Sequence, residues 1–155
     1  MTELDDVDRR LIAALQADGR ASMRLLAETL HVSRATVYQR VARLEREGVI
    51  RGYAAVVDPD ALGLGLSAFV YLDVEQHAWK TLRHQVLQLP EVVFGALVSG
   101  EHDIVLHVRT TDATALRELV LSRLQSMAEV RSTQTVLIFD ELSPAGDVVR
   151  PHQGR

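Results

Sequence analysis

Cysteine is absent from this chain, which removes a disulfide frame, a thiolate metal site and a thiol nucleophile at once. No run approaches the roughly 18 consecutive apolar residues that a membrane helix needs, so no membrane partner is expected. The opening residues MTELDDVDRR are charged and lack the apolar core of a signal peptide, which makes the cytoplasm the expected compartment. Catalytic signatures are missing too: there is no nucleophile elbow, no phosphate-binding glycine loop and no pair of carboxylates in an apolar setting. Ser99, His102 and Asp103 come nearest to a catalytic cluster, but three neighbours on one turn cannot easily face each other. An enzyme is not expected. His77, His84, His102 and His107 show no ligand spacing such as H-x3-H on a helix, so neither a metal nor a cofactor is expected.

What is present fits one medium domain or two small ones. The 155 residues are 47% apolar, enough for a core, and 25% charged, enough for solubility. The net charge of −4 is unevenly spread. Residues 1–52 hold nine Arg and eight acids, whereas the remainder holds eight Lys and Arg against thirteen acids. Local positive potential, rather than the total, attracts phosphate. The two halves therefore face different partners.

Residues 22–53 carry the strongest pattern. Leu25, Leu26 and Leu30 fall at helical spacing, and Val37, Val41 and Leu44 form a second stripe at i, i+4, i+7. Ser33 stands just before that stripe, where its hydroxyl can cap a helix. Glycine is the common residue at the end of the first of these helices, because the site wants a left-handed backbone; here it is His31. The face left over on the second helix holds Arg34, Thr36, Tyr38, Gln39, Arg40 and Arg43, side chains of the kind that bind phosphates and base edges. Residues 33–52 hold five Arg, Arg51 among them, and only two acids. A solvated face on an ordinary helical hairpin would not need that excess. Double-stranded DNA is the expected partner.

Upstream, Leu4, Val7, Leu11, Ile12 and Leu15 make a third helical stripe, with acids at 5, 6 and 8 suited to a helix N-terminus. This helix is expected to close the core, with no charge logic of its own. After Gly48, VIRGYAAVVD reads as two short strands turning at Arg51–Gly52, a wing. The expected organisation is a winged helix-turn-helix over 1–53, a wing strand and linker over 54–65, a second domain over 66–142 and a loose polar tail over 143–155.

The second domain alternates strand 66–76, helix 78–90, strands 92–100 and 102–110, helix 112–127 and strand 130–142. That βαββαβ order is the ferredoxin-like αβ-plait, and the fold class is α+β. The first of these strands is apolar on both faces, with Phe69 and Tyr71 opposite Ala68, Val70 and Leu72. Two helices cover only one face of a four-stranded sheet, so a second copy is the expected cover for the other.

Three stretches together make the chain resemble the Lrp/AsnC (feast/famine) family of transcriptional regulators. They are LDDVDRRLIAALQADGR, then LAETLHVSRATVYQRVARLEREGVIRGYAAVVDPDALG, then VSGEHDIVLHVR followed by TQTVLI. The resemblance spans about residues 3–142. It implies a winged helix-turn-helix joined to a ligand-sensing plait, and homodimers that assemble to tetramers or octamers. It also implies small effectors, usually amino acids, bound where subunits meet, and control of genes of amino-acid metabolism, commonly including the regulator's own. By matching positions, Ser33, Thr36 and Arg40 would be among the DNA contacts, and Ser99 to Asp103 would form the effector loop. The family often has an aromatic residue before the aspartate; this chain has His102.

That loop has suitable chemistry. Gly100 can take a positive φ and present backbone N–H groups to a carboxylate. Glu101 or Asp103 can accept from an α-ammonium group, and His102 can donate to or stack on a side chain. Thr133 and Thr135 share one face of the last strand and offer hydroxyls. By spacing alone, the same residues also read as a common glycine-containing hairpin turn beside a β-favouring Thr pair. Two functions thus stand side by side: an effector-responsive, sequence-specific regulator, and a DNA-organising protein of the same fold whose plait only assembles subunits.

Overall fold

A computed structural model of the chain describes residues 3–75 and 79–141. His77 and the 143–155 tail lie outside them. The chain divides between Ala55 and Val56 into two compact units.

The first unit holds three helices, α1 (Asp6–Ala17), α2 (Met23–Leu30) and α3 (Arg34–Arg46). Each starts where a side chain satisfies a free backbone N–H. Asp5 accepts from the Asp8 amide at 2.8 Å, and Asp8 returns the bond to the Asp5 amide at 3.1 Å. Ser22 caps α2 through Leu25, and Ser33 caps α3 through Thr36. Between α2 and α3 the chain turns on His31, at φ 56° and ψ 44°, the one positive-φ residue other than glycine among those described. The expected stripes meet in one core of Leu11, Leu15, Leu26, Ala27, Leu30, Val37, Val41 and Leu44.

The wing is a correction. None of residues 49–58 forms a strand. The amides of Val49 and Ile50 instead both donate to the Leu44 carbonyl, closing the end of α3, and the Tyr53 hydroxyl reaches back to Glu45 at 3.1 Å. A two-stranded ribbon this short has too few ladder bonds and too little buried area to hold itself.

The second unit runs β1 (Leu66–Val74), α4 (Trp79–Val86), β2 (Val92–Leu97), β3 (Ile104–Thr110), α5 (Ala113–Glu118) and β4 (Val130–Ile138). A π-helical segment, Leu119–Leu124, continues α5. The sheet order is β2-β3-β1-β4, antiparallel throughout, as expected for the plait. Ala68, Val70, Leu72, Leu106 and Val108 point to the helical side and pack with Leu82, Val86, Leu116, Leu119 and Leu124. The opposite face carries an apolar patch among polar side chains such as Ser67, Asp73 and Gln134. Its central row crosses all four strands as Phe94, His107, Phe69 and Val136. Phe94 and Val136 remain 40% and 43% exposed.

Candidate functional site

The outward face of α3 sits where the sequence placed it. Arg34, Tyr38 and Gln39 are exposed, and Thr36 is half-buried with its hydroxyl 2.8 Å from that of Ser33. Arg51 is exposed beyond the helix. Arg40 and Arg43 are half-buried and paired with acids, however. Arg40 Nη1 donates to Asp5 Oδ1 and Oδ2 at 2.7 and 2.6 Å and to Asp8 Oδ1 at 2.8 Å, while Arg43 Nη2 donates to Asp8 Oδ2 at 2.5 Å. The Asp8 side chain is 0% exposed and that of Asp5 is 54% exposed. Thr36, Gln39, Arg40, Arg43 and Asp5 line one concave notch on this face.

Helix α1 therefore does have a charge logic, contrary to the sequence expectation: it holds two of the arginines of α3. Burial pushes the Asp8 carboxyl up, but the hydrogen bonds from Arg43, Arg40 and the Asp5 amide outweigh it and bring the pKa down to about 2. The missed signal was a polar residue on an apolar stripe. Asp8, Leu11 and Leu15 share a helix face, and an acid there needs a partner.

In the second unit the loop from Ser99 to Asp103 joins β2 to β3. Ser99 and Glu101 are exposed, and Gly100 takes φ 141°. Asp103 braces the loop. Its carbonyl accepts from the Val98 amide, its amide donates to the Leu72 carbonyl, and its carboxylate accepts from the Val74 amide at 2.9 Å. His102 spans two strands: Nδ1 lies 2.9 Å from Asp73 Oδ1, and Nε2 lies 2.8 Å from Gln134 Oε1. Its ring centroid is 5.1 Å from that of Tyr71, and Ser132 donates to Asp73 beside it. Asp73, Gln134 and Tyr71 were not foreseen, because strand register rather than sequence spacing brings them to the loop.

Thr133 and Thr135 do not join this group. They pair with Leu72 and Val70, so they point to the helical side, and Thr133 accepts from Gln125 at 2.8 Å. The loop histidine lies on the other face. With a period of two, a Thr pair can serve only one side of the sheet.

The hydrogen bond to Asp73 raises the His102 pKa above its ordinary 6.5, against desolvation and with help from Gln134. A raised folded value means that protonated His102 stabilises this corner below about pH 6.5 and that the contribution fades as the pH rises through the folded pKa. An NMR titration of the ring should show a midpoint above 6.5 that falls back in Asp73→Asn; a midpoint at or below 6.5 in the native protein would contradict the geometry.

A Ser–His–carboxylate grouping exists on the outer sheet face but is not arranged for catalysis. Ser67 Oγ at 2.8 Å and Glu141 Oε1 at 3.5 Å both face His107 Nε2, so this carboxylate does not orient the ring from its other nitrogen. Among the described residues no three or more His, Asp or Glu are grouped to hold a metal, and no helix is long and apolar enough to cross a membrane.

Two family models match the chain: the AsnC-type helix-turn-helix domain over residues 4–45 and the Lrp/AsnC ligand binding domain over residues 67–148. The chain is 37% identical over 146 residues to the transcriptional regulator AldR of Mycolicibacterium smegmatis, spanning 92% of this chain and 85% of that protein. It is 41% identical over 138 residues to the transcriptional regulator LrpA of Mycobacterium tuberculosis, spanning 87% and 90%. Among solved structures, a Neisseria meningitidis transcriptional regulator in complex with L-methionine superposes with a TM-score of 0.87 at 30% identity, covering 92% of this chain and 94% of that one.

Proposed function

Because the chain belongs to the Lrp/AsnC family of transcriptional regulators, we propose that it reads specific DNA sequences through α3 and responds to an amino acid held at the Ser99–Asp103 loop. The notch on α3 carries the first half of this reading. It sets Thr36 and Gln39, which suit base edges, beside Arg40 and Arg43, which suit phosphates or guanine. Exposed Ser99, Gly100 and Glu101 support the second half, because they leave backbone amides and a carboxylate at a sheet end for a ligand with both an acid and an ammonium group. The Neisseria relative holds L-methionine, which makes that amino acid the first to try.

The chain works as a dimer or larger assembly in this reading. The row of Phe94, Phe69 and Val136 on the uncovered sheet face is the surface that a second copy would bury. A dimer presents two recognition helices, so half-sites about one helical turn, or a multiple, apart are expected.

The test is thermal stability of the full-length protein against a panel of free amino acids. A ligand that binds only the folded state, at about 100 times its Kd, adds roughly 2.7 kcal/mol. A shift with at least one amino acid is expected. No shift with any of them would leave the DNA-organising role as the better description.

A further inference from the structure

The ion cluster that joins α1 to α3 is asymmetric. Asp8 is enclosed, with one carboxylate oxygen on each arginine, so its bonds to Arg40 and Arg43 hold the two side chains in place. Asp5 stands on the rim of the notch with its side chain 54% exposed, and both its oxygens sit on the same Arg40 nitrogen. An anion on the Arg40 guanidinium, beside a notch lined by Thr36 and Gln39, occupies a position where a DNA phosphate could be bound instead.

We propose that Asp5 is an autoinhibitory contact: its carboxylate, seated on Arg40 at the rim of the recognition notch, acts as an internal stand-in for phosphate that weakens binding to DNA of any sequence. This rests on the reading that α3 binds DNA. Two carboxylates and two guanidiniums make the cluster neutral, so the notch draws little from the DNA backbone until Asp5 is displaced. Backbone contacts supply most of the affinity for non-specific DNA. A tether that competes for that contact lowers affinity for specific and non-specific DNA alike, so it sets the strength of binding rather than its selectivity.

Asp5→Asn tests this, because asparagine keeps the N-cap to the Asp8 amide while losing the charge. Asp5→Ser serves as a second variant with an N-cap hydroxyl. Binding of the full-length protein to a random-sequence duplex is measured across a range of salt. Both variants should bind on the order of fivefold more tightly at low salt. The plot of log K against log salt should steepen by about one unit, which a purely structural role for Asp5 would not produce. In an Arg40→Gln background the gain should vanish. Unchanged or weaker binding by both variants overturns the proposal, and so does a gain that survives Arg40→Gln, which would mark a general charge effect. Arg40→Gln alone separates the two levels. If it leaves affinity and slope at their native values, the assignment of Arg40 to DNA is wrong; if it weakens binding while Asp5→Asn does nothing, only the role of Asp5 falls.

Discussion

Asp8→Ala is expected to destabilise the helix-turn-helix unit by about 3 kcal/mol. Removing one partner of a buried ion cluster costs roughly 3–5 kcal/mol when the remaining charges stay buried. Here Arg40 and Arg43 are 25% and 33% exposed and can turn partly to water, which places the cost at the lower end. The substitution also removes the N3 side of the α1 capping box. The pH dependence carries the same signature. The folded carboxyl titrates at about 2 against an ordinary value of 3.8. A depressed folded pKa gives stability that is whole above the unfolded value and is lost as the pH falls toward the folded one. The native unit should therefore weaken between about pH 4 and pH 2, and Asp8→Ala should lack that share of the loss. Denaturant unfolding followed by circular dichroism at several pH values measures both. A variant within about 0.5 kcal/mol of the native protein, the scale of an ordinary surface change, would contradict the role given to Asp8.

The second large effect is expected on the sheet. Phe69 lies on the central strand β1 and points away from the helices, its ring 5.4 Å from His107 and 6.4 Å from Tyr71. Phe69→Asp removes no side chain from the core on the helical side, so the plait should still fold. If a second copy covers this face, the new carboxylate must be desolvated at the centre of the contact, at a cost of several kcal/mol. The dimer dissociation constant should then rise by about 100-fold or more. Sedimentation at micromolar concentration should show a dimer or larger for the native chain and a monomer for the variant. A native monomer, or a variant that assembles as the native chain does, would overturn the assignment of this face.

Much of this architecture is legible in the residues alone. The apolar stripes at 11 and 15, 26 and 30, and 37, 41 and 44 all reach one core. The demand for a left-handed residue fell on His31, which adopts it. The βαββαβ order follows from the alternation of periods. What the residues did not disclose depends on contacts distant in the chain. Asp8 is 32 residues from Arg40, and beside Asp5 and Asp6 it looked like one more acid at a helix start. Asp73 and Gln134 reach His102 only because β3 and β4 flank β1. The wing failed for the opposite reason: VIRGYAAVVD has strand propensity, but propensity is weak where no neighbouring strand supplies bonds.

The most direct test is the affinity of the full-length protein for the duplex immediately upstream of its own gene, at fixed salt, with and without each free amino acid. A regulator that reads DNA through α3 and senses a ligand through its plait should change that affinity by about 5- to 150-fold with at least one of them. The duplex should shift the Kd of that amino acid by the same factor, since the coupling is reciprocal. An amino acid that binds tightly and leaves DNA affinity unchanged, or a duplex bound no better than random sequence under every condition, would contradict it.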